Sequence, residues 1–182
     1  EFKLEYDICW CRGLSPIYQF EQFINILSDL SIITTSTISV CIIGAYGHNS
    51  NISKLLSIPN LDIHFYARLD SEDFYQKLLA SKIIISIPIS DSSPRTIYEA
   101  IYLKKPLFLS PLPCLDWVEN FTSYPASYST SDPHQDANLL NAMLNNKKQL
   151  DLLSLKYSHP STFIKNLDFK VISHQYLSVF IS

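Results

Sequence analysis

Glycine is scarce, with 3 in 182 residues. Few positions remain for the open loops that wrap phosphates, and neither G-x-G-x-x-G nor G-x-x-x-x-G-K-[ST] occurs. The stretch "GAYGHN" (44–49) holds two of the three glycines in neither spacing. Charge is sparse as well: 17% of residues are charged and the net charge is −3. That gives no general electrostatic case for nucleic acid or an anionic membrane, so any anion site must be local. No apolar run reaches the roughly 18 residues that span a bilayer. The five histidines (His48, His64, His134, His159, His174) form no i,i+4 pair, and the four cysteines (Cys9, Cys11, Cys41, Cys114) form no C-x-x-C. No metal site is expected on those grounds. No G-x-S-x-G surrounds Ser90, Ser92 or Ser93, so a serine nucleophile elbow is not expected either. Cys9, Cys11 and Cys41 lie in apolar runs and read as buried, reduced thiols, which points to a cytoplasmic chain. The sequon at Asn120 then carries no weight. The opening "EFKLEYDICW" has neither the basic nor the apolar region of a signal peptide and no initiator methionine, so a piece of a longer protein is expected.

What is present is apolar: 47% of residues are hydrophobic, enough for a sizeable core in one domain covering 1–182. Strand patterns at 6–11, 37–44, 61–67, 82–89 and 106–110 alternate with helical patterns at 16–30, 51–58, 70–81 and 94–105. Several strands are continuous apolar runs, as when both faces of a sheet are covered. The pattern predicts an α/β fold, a Rossmann-like parallel sheet flanked by helices. Beyond 111 the signal weakens. A short helix is expected at 114–121, loop with one edge strand at 124–136, C-terminal helices from about 136 to 157 with a break near Asn145–Asn146, and a closing helix at 174–181. The aromatic set Phe20, Phe23, Phe65, Phe74 and Tyr75 falls on apolar faces and reads as core.

The stretch "SDSSPRTIYEAIYLKKP" (90–106) follows the apolar run "KIIISIPI" (82–89) and leads into a helix. In open parallel sheets, ligands bind outside the carboxyl ends of the strands. The first helical turn offers unpaired N–H groups, Ser92, Ser93 and Thr96 add hydroxyls, and Arg95 adds positive charge. Together these suit a phosphate. Glu99, one turn further on, suits two hydrogen bonds from vicinal hydroxyls such as those of a ribose. The plainer reading is that Asp91 or Ser93 caps the helix and Glu99 is an ordinary surface residue.

This stretch resembles the donor-binding segment of retaining GT-B glycosyltransferases, in the large group 1 or family 4-like set. There an acid, seven residues and a Glu are followed by Ala, a short apolar stretch, Gly and Pro. Asp91 and Glu99 take the two acidic positions. "CRGLSPIYQFEQFINIL" is similar to that family's first strand-loop-helix, "ISVCIIGAYG" to its second strand and glycine turn, and "LDIHFYARLDSEDFYQKLLASKIIISIPIS" to the approach to the acid motif. "PCLDWVENF" falls where the family has a Pro or Asn and an acid before a helix. The resemblance covers about residues 6–145.

It implies the nucleotide-sugar-binding half of a hexosyltransferase of polysaccharide biosynthesis, with a UDP- or GDP-sugar as donor and no metal or other cofactor. It further implies catalytic roles for Arg12 and Asp91. Arg12, Tyr18, Gly44, Asp91, Ser92, Ser93, Arg95, Thr96 and Glu99 would bind the donor. Arg12 would face the diphosphate, Asp91 the sugar hydroxyls and Glu99 the ribose. The acceptor-binding N-terminal domain is missing, or comes from a partner subunit that would also supply any membrane attachment. The chain alone is expected to be inactive. Three departures stand out: Tyr18 where the family's Lys is expected, Lys104 where it has Gly, and Asp91 where Glu is usual. They fit either a divergent, low-activity branch or a chain that has lost catalysis. Tyr18, Lys104 and the missing half support the alternative, a non-catalytic GT-B-like interaction module or partner subunit, while Arg12, Asp91 and Glu99 oppose it. A response-regulator-like domain fits less well, because no acids cluster at the ends of "YDICWC" and "ISVCIIG".

Overall fold

The computed structural model describes residues 3–44, 50–91, 94–116, 118, 124 and 126–146. The strands are β1 (Tyr6–Trp10), β2 (Ile38–Ile43), β3 (Leu61–Tyr66), β4 (Ser81–Ser86), β5 (Leu107–Leu109) and β6 (Ala126–Tyr128). The helices are α1 (Phe20–Ile33), α2 (Ser50–Leu56), α3 (Ser71–Leu79), α4 (Arg95–Tyr102) and α5 (Pro133–Asn145). The strands form one sheet in the order β3-β2-β1-β4-β5-β6, and every pairing is parallel. The α/β, Rossmann-like expectation holds.

Strand alternation divides the core into two layers. On one face Ile8, Trp10, Val40, Ile42, Ile83 and Ile85 pack against α1, Leu55 of α2 and the apolar side of α5. Trp10 stacks on Phe23 with ring centroids 4.6 Å apart. On the other face Cys9, Cys41, Ile84, Leu107 and Leu109 meet Leu78 of α3 and Ile97, Ala100 and Ile101 of α4. The helices α1 and α2 thus cover one face and α3 and α4 the other, while α5, after β6, returns to the α1 face.

Several boundaries differ from the sequence reading for identifiable reasons. The helix expected over 16–30 is a 3-10 turn, Pro16–Tyr18, then α1. Between them Gln19 sits in the left-handed region (φ 58, ψ 42). Its amide Nε2 donates to the carbonyl of Ile87 at 2.7 Å, so a tertiary contact overrides helical continuity. The helix α4 stops at Tyr102, before the lysines, because Lys104 turns to φ 57. The helix placed from about 136 starts at Pro133, with Asp132 as its cap accepting from the Gln135 N–H at 3.0 Å. The segment expected as a helix from 114 opens with a 3-10 turn, Pro113–Leu115, and its described residues Asp116 and Val118 are helical. Edge strand β6 lies where one was expected. The continuation to 157 and the closing helix at 174–181 lie outside the described residues, as do Ser92 and Ser93.

Candidate functional site

Strand order reverses between β1 and β4, which leaves a crevice outside their carboxyl ends. Arg12 follows β1 and Asp91 follows β4. They meet there: Arg12 Nη2 donates to Asp91 Oδ2 at 2.5 Å, and Arg12 Nε donates to Ser86 Oγ at 3.0 Å. Their side chains are only 11% and 15% exposed, so this pair is largely sheltered from water. The Arg12 carbonyl accepts from Trp10 Nε1 at 2.7 Å, which ties the loop to the core. The Tyr18 ring centre lies 5.4 Å from the guanidinium carbon, within cation–π range. Tyr18 also explains Gly13, where a Cβ would come within 3.2 Å of the ring. Gly44 follows β2 with φ +89, a conformation that glycine adopts freely, and its N–H donates to the Tyr66 carbonyl at 2.8 Å.

The two loops that carry the pair are fastened to each other. Besides the Gln19–Ile87 bond, the Ile89 N–H donates to the Ile17 carbonyl at 2.8 Å. Ser110 Oγ holds the Pro88 carbonyl from the other side at 2.7 Å. The capping role considered for Asp91 does not occur. The N-cap of α4 is Pro94, with no side-chain cap, and Asp91 engages Arg12 instead.

Glu99 belongs to a second part of the same edge. With Leu69, Asp70, Phe74, Tyr75 and Arg95 it lines a pocket of about 300 Å³ between the starts of α3 and α4. Thr96, 8% exposed, lines it too. Glu99 is 14% exposed, which sets aside the ordinary-surface reading. Its Oε1 accepts from Tyr75 Oη at 3.1 Å and from Arg95 Nε at 2.9 Å. Both donors use that one oxygen; among the described residues Oε2 accepts from none. Arg95 is 83% exposed. The Tyr75 hydroxyl first, and Glu99 second, raise its guanidinium above the ordinary value.

Two of the thiols, Cys114 and Cys9, are held away from the thiolate form. Burial first, then the Asp91 carboxylate, push the Cys114 thiol up. Cys9 is raised well above its ordinary value by hydrogen bonds to Cys11 and Cys41 and by burial. Among the described residues no three His, Cys, Asp or Glu side chains group to hold a metal ion, and no helix is long and apolar enough to cross a membrane.

Arg12, Tyr18, Gly44 and Asp91 thus gather around the β1/β4 crevice, while Arg95, Thr96 and Glu99 line the α4 pocket beside it. Sequence reasoning missed Gly13, Gln19, Ser86 and Tyr75. For Tyr75 a signal existed, since a phenol on an otherwise apolar face carries a hydroxyl that needs a partner. Ser86, at the end of an apolar strand, gave a similar hint. Gln19 gave none, because its role depends on a loop 68 residues away.

No protein-family model matches the chain, and no curated protein matches it in sequence. Solved structures do match. TarM from S. aureus superposes with a TM-score of 0.74 at 16% identity, over 100% of this chain and 36% of TarM. HepE of Anabaena, solved with UDP and glucose, gives 0.66 at 15% identity, over 98% of this chain and 49% of HepE. WaaG, a glycosyltransferase involved in lipopolysaccharide biosynthesis, gives 0.68 at 10% identity, over 88% and 44%. The fold is that of a GT-B glycosyltransferase domain. The chain spans about a third to a half of these structures' length.

Proposed function

We propose that this chain is the nucleotide-sugar-binding half of a GT-B glycosyltransferase of the retaining, family 4-like kind, and that it transfers a hexosyl group only together with an acceptor-binding half. The observation that carries this reading is the meeting of Arg12 and Asp91 at the β1/β4 switch point, with the Glu99 pocket on the same sheet edge. The diphosphate of a UDP- or GDP-sugar lies across the crevice, toward Arg12 and the uncapped start of α4. Arg95 adds charge from the first turn, and Ser92, Ser93 and Thr96 add hydrogen bonds. Glu99 takes the ribose hydroxyls. Asp91 meets the donor sugar, Gly44 lets the chain pass close to the nucleotide, and Tyr18 borders the diphosphate. Positive charge on a departing diphosphate lowers the barrier to glycosyl transfer, and here protein groups supply it without a metal. The UDP bound by HepE and the glycosyltransferase activity of WaaG support the ligand class.

A second reading rests on its own observation. The Arg12 charge is already matched by Asp91, and the neighbouring position carries Tyr18, whose ring packs beside the guanidinium. With no second cation in that loop, a diphosphate must compete with Asp91, which suits a module that keeps the fold for docking to a partner glycosyltransferase subunit. Calorimetric titration of UDP, GDP and dTDP decides between them. The donor-half reading expects one nucleotide to bind with micromolar to low-millimolar affinity, and Glu99→Ala to weaken it about 10-fold or more. Absence of binding by a folded sample favours the docking module.

A further inference from the structure

The carboxylate in this pocket is already engaged on one oxygen: Tyr75 and Arg95 both donate to Glu99 Oε1, and a diol that bonds both carboxylate oxygens must take that one over. The two bonds differ in kind. Tyr75 reaches Glu99 from α3, inside the fold. Arg95 reaches it from the first residue of α4, with 83% of its side chain in solvent. An exposed i,i+4 ion pair of this sort is weak and easily exchanged. Arg95 also stands beside the N–H groups of an uncapped helix start, where an anion is favoured. The same guanidinium therefore has two partners within reach of its flexible side chain: the carboxylate one turn below, and any anion seated at the helix start.

We propose that Arg95 is an exchangeable counter-ion, neutralising Glu99 in the empty pocket and passing to the ligand's phosphate when a vicinal diol takes over Glu99. The proposal rests on the nucleotide reading above and deepens it into a rule of selection. A nucleoside offers the diol but displaces Arg95 without giving it a new anion. Inorganic pyrophosphate draws Arg95 away and leaves Glu99 unneutralised. A nucleoside diphosphate satisfies both charges at once, so the pocket favours molecules that join a diol to a phosphate over either half alone.

The test compares uridine with UDP and guanosine with GDP, by NMR titration so that millimolar affinities are measurable, on the parent chain, Arg95→Ala and Arg95→Lys. Arg95 is exposed, so both variants are expected to fold. In Arg95→Ala the nucleoside should bind about 3-fold tighter, because a weak competing ion pair is gone. The diphosphate should bind about 10-fold weaker, because a charged hydrogen bond is lost. The preference for diphosphate over nucleoside thus falls about 30-fold, and Arg95→Lys restores part of it. If the parent binds the diphosphates but Arg95→Ala changes nucleoside and diphosphate by the same factor, the exchange is wrong and the nucleotide site stands. If the parent binds none of the four compounds, the nucleotide reading fails and the exchange with it.

Discussion

At the scale of single residues, charges in this chain are few and most of those near the site are committed. Arg12 holds Asp91 and Ser86 and Arg95 holds Glu99, while at the far, amino ends of β1 and β4 Lys82 holds Asp7 at 2.7 Å. Lys105 is the exception: its ammonium meets only a backbone oxygen among these partners, donating to the Leu79 carbonyl at 2.5 Å. Burial lowers its pKa from 10.5 to about 8, opposed weakly by Cys9. The unfolded chain therefore keeps this proton to a higher pH than the folded chain does. The Lys105 contribution to stability rises as pH climbs from about 8 to about 10.5. Two groups act in the other direction. The Cys9 thiol is raised well above 9.0, and burial with the Tyr66 hydroxyl lifts the Tyr6 phenol from 10.0 to about 12. The folded chain holds those protons longer, so their contributions are lost as pH passes their folded values. The Lys105 effect is thus read as a difference. Urea unfolding of the chain and of Lys105→Met should show the parent gaining stability relative to the variant between about pH 8 and pH 10. A pH-independent difference contradicts the burial of a strained ammonium.

At the scale of elements, the helix ends show what a sequence reveals and what it hides. A cap for α3 at Asp70 or Ser71 was legible, because such a residue before an amphipathic run with acids in its first turn is a local signal, and Asp70 takes the role. Its Oδ1 accepts from the Asp73 N–H at 2.9 Å. Asp132–Pro133 at the start of α5 carried the same kind of signal, masked by the surrounding polar loop. The break at Gln19 and the left-handed Lys104 were not legible, since contacts with distant backbone or the demands of a turn set them. Lys104 stands where the resembled family has Gly, and its φ of 57 shows that the turn is kept without the residue that favours it.

The start of α5 also contains the most deeply buried acid among the described residues. Asp136 is 0% exposed and accepts from Ser129 Oγ at 2.5 Å, the Thr130 N–H at 2.7 Å and Thr130 Oγ1 at 2.9 Å. It joins the end of edge strand β6 to the helix that packs on α1. Replacing it by Ala strands those donors, and Asp136→Ala should cost about 2–4 kcal/mol in chemical denaturation. A loss below about 1 kcal/mol would show that the loop finds other partners.

At the scale of the molecule, the fold was legible because alternating apolar and amphipathic segments leave few arrangements other than a covered parallel sheet. The order of the strands was not read from periodicity, and the resemblance brought Arg12 and Asp91, 79 residues apart, only to one donor site. The pairing itself was not foreseen. Neither was the fact that Asp91 and Glu99 each already hold an arginine, and this is the feature that most affects function. On the proposed reading, a nucleoside diphosphate would meet a formed but largely neutralised site. Beside the crevice, Ile17 and Ile89 stand 47% and 62% exposed on loops bonded to each other.

The central claim is that a nucleoside diphosphate sits on the carboxyl edge at the β1/β4 reversal. The most direct measurement is amide hydrogen exchange with and without a saturating amount of the nucleotide selected by titration. Protection is expected in peptides covering residues 12–20, 86–91 and 95–103, with little change in α5 or β6. Unchanged exchange in all three stretches, or protection confined to other parts of the chain, would contradict it.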